Sequence, residues 1–457
     1  MFRKIFFVAR RIIRYNRKKN AGGCVWERGL YMSERRELTR KERFGLLALV
    51  PAYFIVVGLI IQPPAEILQG LANIIREPDF LITDYFVVGG VGAAMINAGV
   101  LGLFSVWIVY ALKMDFSGHT ITSCFLMLGF SLFGKNIVNV WTILGGVFLY
   151  AAYHKTHVSR YIYVGIYGTS LSPIITQLMQ ASHLPVVPRL AITVLVGLLI
   201  GFVLPPLSTH VHYAHKGYSL YNVGFAAGII ATVVVSVMKS FGIETQSRLI
   251  WYTGSNRLFA VLLSILFCGM VIGGLIGEGK NTLAAYKRIW KSTGISGTDY
   301  IKEEGMAATL FNMGINGLFA TFFVMAVGGD LNGPTIGGIL TIVGFSSTGK
   351  HLRNIAPIMF GVFLGGFTKD WDIYEPSPML ALLFSTTLAP IAGEFGVLVG
   401  VLAGYLHSSV ALNVGIVYGG MNLYNNGFAG GIVAIFLVPV IQSIEDRRAR
   451  ARGSLSL

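Results

Sequence analysis

Two stretches of this chain carry reactive side chains at a repeated spacing: "GHTITSCFLMLGFSLFGKN" over 118–136 and "GPTIGGILTIVGFSSTGKH" over 333–351. Each opens on Gly-x-Thr-Ile and closes on Gly-x-x-x-x-Gly-Lys, which is the glycine and lysine pattern of a phosphate-cradling loop. Such a loop also needs Ser or Thr after the lysine to hold magnesium, and a strand before it. Here Asn136 and His351 follow Lys135 and Lys350, and the surroundings are apolar, so nucleotide binding is set aside. Two uses remain for the lysines. At the ends of apolar segments the expected one is snorkelling to the membrane surface. The alternative is positive charge offered to an anion, with Thr120 and Thr335 capping short helices whose free N–H groups favour the same ligand.

Asn97, in "AMINAGVLGL", and Asn312, in "TLFNMGINGL", sit in the middle of long apolar runs, where an unpaired amide is costly. They are read as lining a path or site, together with Ser131 and Ser346. Tyr221-Asn222 and Tyr424-Asn425 open the last apolar segment of each half and read either as path residues or as helix caps. Glu394 lies near the end of an apolar segment and is the candidate for proton coupling. His210, His212 and His215 read as a plain loop, and Cys24, Cys124 and Cys268 are too far apart for a metal set or a disulfide framework. No metal, cofactor or catalytic residue is expected.

These residues need apolar elements to position them. A hydrophobic fraction of 54% with only 12% charged residues excludes a water-soluble surface. Runs such as 45–62, 258–277 and 421–440 are long enough to cross a hydrocarbon core as helices, and their continuity excludes barrel strands. The expected fold is all-α and polytopic, with about 10–14 membrane segments, some broken or re-entrant. The net charge of +15 gathers largely in the first 44 residues and in "EDRRARAR" at 445–452, which points to cytoplasmic ends and not to nucleic acid. The apolar pieces within 1–31 are too short for a signal-peptide core, Met32 is a possible second start, and "TRKE" at 39–42 has capping-box spacing.

The chain is a duplication. Asn97 meets Asn312 at an offset of 215, which also pairs Gly99 with Gly314, Asp115 with Asp330, Lys135 with Lys350 and Asn139 with Asn354. At 217, "TSLSPIITQ" (169–177) faces "STTLAPIAGE" (385–394), setting Gln177 against Glu394; at 203, "GYSLYNVGFAAGIIA" (217–231) faces "GMNLYNNGFAGGIVA" (420–434). The expected organisation is a basic tail (1–44), a first membrane repeat (45–242), a linker (243–257), a second repeat (258–442) and a basic tail (443–457). Each half shows an odd number of apolar segments, so if all of them cross, the second copy lies inverted. Loop charges agree: basic "HKTHVSR" (154–160) answers acidic "TKDWDIYEP" (368–376), and acidic "REPDFLITD" (76–84) answers basic "KRIWK" (287–291). Inverted repeats bring solute sites to the midplane where the copies meet. Two segments in each half, Gly-x-Thr-Ile and 162–182 with Gly165, Gly168 and Pro173, are candidates for breaks.

The motifs Gly-x-Thr-Ile, Gly-Phe-Ser-x-x-Gly-Lys-Asn, Gly-Thr-Ser-Leu-Ser-Pro and Tyr-Asn-x-Gly-Phe-Ala-Ala-Gly, with "LITDYFVVGGVGAAMINAG" (81–99), resemble the bacterial membrane family catalogued as domain of unknown function 1576. The resemblance covers about residues 40–445 and implies a multi-pass, duplicated protein with no assigned activity. "NAGVLGL" and "LYNVGFAAG" are more faintly similar to urea-transporter-type folds, whose Leu-Pro-x-x-Thr signature this chain lacks. The expected function is a passage for a small polar or anionic solute in the inner (plasma) membrane, with both termini cytoplasmic. Expected partners are lipid, the solute and further copies of the chain. The rival is a membrane-embedded redox or enzyme subunit; a mere scaffold leaves the paired amides unexplained.

Overall fold

Proline and glycine decide where the apolar runs become helices and where those helices stop. The structure, a computed structural model, describes residues 38–181, 185–243 and 248–451. The first 37 residues, and with them Met32, lie outside the described residues, as do 452–457.

The first half comprises α1 (Arg40–Ile61), α2 (Pro64–Arg76), α3 (Val91–Ala111), α4 (Gly118–Phe130), α5 (Trp141–Tyr153), α6 (Ile162–Gly168), α7 (Ser172–Met179), α8 (Val186–His215) and α9 (Asn222–Ser240). The second comprises α10 (Asn256–Glu278), α11 (Lys280–Ile289), α12 (Gly305–Ala326), α13 (Gly333–Phe345), α14 (Leu352–Gly365), α15 (Pro376–Phe384), α16 (Ala389–Phe395), α17 (Val397–Val414) and α18 (Asn425–Ala451). Among the described residues, 9 helical segments are long and apolar enough to cross a membrane, α15 and α16 counting as one. The protein is all-α and polytopic. α1 begins at Arg40, directly after Thr39, where the capping-box spacing expects it. α8 runs to His215, so the three histidines belong to a helix end and not to the loop expected for them. α18 continues to Ala451, carrying the charged segment that the sequence reading assigns to a tail.

Equivalent helices pack in equivalent pairs: α1 on α3 and α10 on α12, α5 on α8 and α14 on α17. Backbones approach closely at matched glycines. A side chain at Gly201 would collide with Ile143 O, and one at the equivalent Gly404 with Ile358 O. Such small-residue contacts hold helices together in lipid, where burial of apolar surface between helices gains little over lipid contact.

Two elements per half are short or interrupted. α4 and α13 have 13 residues each, about 20 Å at 1.5 Å per residue, against a hydrocarbon core of about 30 Å. Apart from His119, every residue of both is buried. They lie side by side and run in opposite directions: a Cβ at Gly118 would meet Ser347 O at 2.5 Å, one at Gly129 would meet Gly337 O at 2.9 Å, and one at Gly333 would meet Leu132 O at 2.6 Å. Residue pairs with a constant sum mark an antiparallel contact, and 118 and 333, like 132 and 347, are repeat equivalents. The other interruption falls at α6–α7 and α15–α16, which are joined by 3-10 turns at Thr169–Leu171 and Ser385–Leu388. Pro173 and Pro390 stand in the first turn of α7 and α16. There a proline costs no hydrogen bond, but it prevents the preceding helix from continuing through it.

The segment between the halves is not a free tether. Leu249–Ile250 (β2) pairs in parallel with Ile82–Thr83 (β1), and Trp251 Nε1 donates to Asp330 Oδ2 at 3.0 Å.

Candidate functional site

After α4 and α13 the chain turns at Gly134 and Gly349, both with φ of +150°, a conformation that L side chains rarely adopt. The freed carbonyls need donors, because an orphaned buried acceptor is costly. Asn97 supplies them in the first half: its Nδ2 donates to Ser131 O at 2.7 Å and Lys135 O at 2.8 Å. Asn312 does the same in the second, to Ser346 O and Lys350 O, both at 2.8 Å. The two amides are clasps that hold a broken helix closed. Ser131 and Ser346 donate back to Met127 O and Ile342 O, and Ser346 Oγ also accepts from Asn316 Nδ2 at 2.7 Å.

The turns deliver Lys135 and Lys350 to the interior. Both are 0% exposed, which overturns the snorkelling expectation. The segments they terminate are too short to reach a membrane surface, so a long side chain there has only protein to enter. Lys350 Nζ donates to Tyr221 Oη at 2.5 Å and Thr386 Oγ1 at 2.7 Å, and lies 4.5 Å from the Tyr221 ring centre and 5.2 Å from that of Phe345. Lys135 has less: Ile166 O at 3.5 Å and the Phe130 ring at 5.0 Å. Neither takes part in the ion pairs found among the described residues.

Around the lysines stands an aromatic cluster that obeys the duplication. Tyr221 and Tyr424 meet at 4.8 Å, Tyr221 and Phe345 at 4.8 Å, and Tyr424 and Phe130 at 4.9 Å. Phe384, equivalent to Tyr167 at the 217 offset, packs 5.7 Å from Phe130. Residues from both halves therefore share one centre, and Lys135, Lys350, Tyr221 and Tyr424 are the sequence-derived candidates brought there.

The remaining candidates go elsewhere. Asn222 Nδ2 donates to Ser208 O at 2.9 Å while its Oδ1 meets His215 Nε2 at 2.9 Å; Asn425 Nδ2 donates to Ala411 O at 2.9 Å while its Oδ1 accepts from Tyr418. These are equivalent ties between consecutive helices. A pocket of about 260 Å³ opens beside Asn222, lined by Ser208, Thr209, His212 and Tyr213. Thr335 closes a capping box with Asn332, and Thr120 Oγ1 accepts from Ser117 N at 3.3 Å and meets Tyr163 Oη at 2.8 Å. Both threonines do cap short helices, yet the N–H groups beside them are not free. Asp299 Oδ1 accepts from Gly118 N at 3.1 Å, and Asp84 accepts from Gly333 N. A carboxylate of the opposite half already occupies each N-terminus that an anion would need. Glu394 is exposed at the end of α16. Among the described residues no three His, Cys, Asp or Glu side chains gather as a metal set.

Sequence reasoning missed Asp84 and Asp299, although the 215 offset extends back to Thr83-Asp84-Tyr85 and Thr298-Asp299-Tyr300. It also missed Asp79, which is fully buried and accepts from Tyr85 Oη at 2.6 Å, Asn139 Nδ2 at 2.9 Å and Thr176 Oγ1 at 2.8 Å. In the loop between α2 and α3, burial pushes the Asp79 carboxyl up to about 7 against the pull of those hydrogen bonds. Two of the three acids in "REPDFLITD" are thus interior, and Glu77 pairs with Arg248 at 3.0 Å, so this loop does not present the acidic face assigned to it.

Compared with known proteins, the chain matches the family described as protein of unknown function (DUF1576) over residues 63–240 and 278–443. The chain belongs to that family. No curated protein and no solved structure matches it, so the fainter likeness to urea-transporter-type folds rests on its residues alone. The match takes in α4, α13, both clasps and all four central side chains.

Proposed function

We propose that this DUF1576 member is a passage for a small polar or anionic solute across the bacterial plasma membrane. Its path lies where two inverted halves meet. The observation that carries the reading is the pair of equivalent lysines, each delivered to the interior by a broken helix and neither paired with a carboxylate. Uncompensated buried charge is expensive, and in membrane proteins it marks solute or ion pathways. The antiparallel contact of α4 with α13 supports the inversion, and two short buried helices flanking a shared centre are the discontinuous elements from which transporter sites are built.

The physical role of each part follows. The clasps fix the position of each lysine, the aromatic cluster keeps lipid and bulk water away, and the low local dielectric strengthens any contact between an ammonium and a negative or strongly dipolar solute. Reconstituted vesicles test this reading with labelled chloride, formate, phosphate and urea. Protein-dependent flux of at least one of them, abolished in the Lys135→Met, Lys350→Met double variant, is the expected result. Flux equal to that of protein-free vesicles for all four sinks the passage. Single cysteines at 157 and 372 test the inversion separately: a membrane-impermeant thiol reagent labels them from opposite sides, and same-side labelling overturns it.

A further inference from the structure

We infer that the first-half side of this centre, made of Lys135, Tyr424 and Ser170, is a binding pocket for a small monovalent anion. The inference rests on the passage reading and names the class of solute.

The argument begins from a broken symmetry. Around the second break the equivalent groups satisfy one another. Lys350 Nζ donates to Tyr221 Oη and to Thr386 Oγ1, and Thr387 Oγ1 accepts the Tyr221 N–H at 3.0 Å. At the matching positions around the first break stand Lys135, Tyr424, Thr169 and Ser170, and the same contacts are not made. Tyr424 Oη and Ser170 Oγ have no hydrogen-bond partner, although their residues are 1% and 0% exposed. Among the described residues Lys135 Nζ meets one acceptor, Ile166 O at 3.5 Å, which is also taken by Thr169 Oγ1 at 2.7 Å.

The three residues lie in adjoining turns by independent contacts. Leu423 N donates to Ser170 O at 3.0 Å, tying Ser170 to the residue before Tyr424. The Phe130 ring touches both Tyr424, at 4.9 Å, and the Lys135 ammonium, at 5.0 Å. A Cβ at Gly134 would meet the Leu423 side chain at 2.6 Å, so the Lys135 turn abuts the Tyr424 turn.

An ammonium, a phenol and an alcohol together form a set of donors. Buried donors without acceptors are rare in native proteins and call for one. A cation beside the ammonium is repelled, and a neutral acceptor leaves the charge uncompensated, whereas an anion answers both needs. Two of the three Lys350 donors are already engaged by hydroxyls, so Lys135 is the ammonium left to meet a ligand, and one such ammonium matches one negative charge, which favours chloride, nitrate or formate over divalent phosphate or sulfate.

The test uses the full chain in detergent at constant ionic strength, titrating sodium chloride, nitrate, formate and sulfate while reading thermal stability and binding heat. A saturable response to a monovalent anion, weakened about tenfold or more in Lys135→Met and in Tyr424→Phe, is expected from the loss of a hydrogen bond to a charged group. Tyr424→Phe removes a hydroxyl with no protein partner, so it leaves the fold intact should Lys135→Met disturb it. Lys239→Met, an exposed site, serves as control. No response in the wild type, or an equal response in Tyr424→Phe and wild type, overturns the pocket. Anion binding without flux in vesicles keeps the pocket and sinks the passage; flux without a Tyr424-dependent response keeps the passage and sinks the pocket.

Discussion

The two buried lysines should respond with opposite signs to the same substitution. Burying an ammonium costs several kcal/mol even after the protein relaxes around it. Lys350 recovers that cost through two hydroxyl contacts at 2.5 and 2.7 Å and two ring faces. At about 1.5–3 kcal/mol per charge-assisted hydrogen bond and about 0.5–2 per ring, the return is roughly 4–10 kcal/mol. Lys135 has one carbonyl at the 3.5 Å limit and one ring, which return only about 1–3 kcal/mol. Methionine has a similar reach and no charge, so Lys135→Met should raise stability by about 2–4 kcal/mol. Lys350→Met should lower it, because Tyr221 Oη loses its lysine partner in a closed interior. Reversible unfolding of the purified protein in lipid bicelles, with each variant compared at one pH, gives both signs. Loss of stability in Lys135→Met, or an equal gain in both variants, refutes the reasoning and makes Lys135 a structural residue. The expected gain is the signature of a group kept for function at the expense of stability.

Three further outcomes follow from contacts already described. Asn97→Ala orphans two buried carbonyls and should cost about 2–5 kcal/mol in the same unfolding measurement, with Asn97→Asp no better because a carboxylate cannot donate, whereas Asn312→Ala orphans Ser346 O but leaves Lys350 O with Asn316 Nδ2 at 3.4 Å and should cost less. Gly129→Val drives a side chain into Gly337 O and should abolish recovery of monodisperse protein on gel filtration, whereas Gly269→Val, which meets nothing within 4 Å, should be neutral. Asp79 holds its proton up to a pH of about 7 when folded and up to about 3.9 when unfolded, so the folded state binds the extra proton between those values and stability falls as pH rises through the window. Melting curves from pH 4 to 8 should show that fall, of order 4 kcal/mol at most, shrinking in Asp79→Asn; an unchanged slope in the variant removes Asp79 as its source.

The frame was legible in the sequence because duplication exposes which polar residues an apolar chain kept twice. Asn97 with Asn312, the glycine turns, and Pro173 with Pro390 all mark real breaks and their clasps. The fate of the lysines was not legible. A lysine at the end of an apolar run snorkels only if that run reaches an interface, and whether a 13-residue helix sits against lipid or inside protein is decided by its neighbours. Asp84 and Asp299 escaped for a related reason. An acid in a short loop reads as solvated until the opposite half brings a helix N-terminus to it, a contact across 181 positions for Asp299 and Gly118 that local pattern cannot announce. His215 is expected in a loop, yet it ends α8 and its ring meets Asn222, a bond between consecutive helices that local pattern does not announce.

The duplication also indicates where to look for what the halves do differently. A frame in which every helix pair has an equivalent presents much the same scaffold to a solute from either side, so any difference between the two faces must reside in positions where the copies disagree. Three such disagreements lie beside the breaks. Asp79 has Gly294 as its counterpart, which leaves the equivalent tyrosine hydroxyl, Tyr300 Oη, unpartnered while Tyr85 Oη is bonded. Leu101 has Asn316, whose amide reinforces the second clasp at Ser346. Ser170 has Thr387, which accepts a backbone N–H where Ser170 accepts none. The last two make the second break better satisfied on the lysine side, whereas the first places a titratable acid behind the first break, where Tyr424 Oη and Ser170 Oγ near Lys135 stay without partners. Asn139 links the two: its Nδ2 is shared between Asp79 Oδ2 at 2.9 Å and Gly134 O at 3.1 Å, so a change of charge on Asp79 alters the hold on the turn that carries Lys135. In the proposed passage the first break is therefore the side assigned to binding, and the second the anchor beside it.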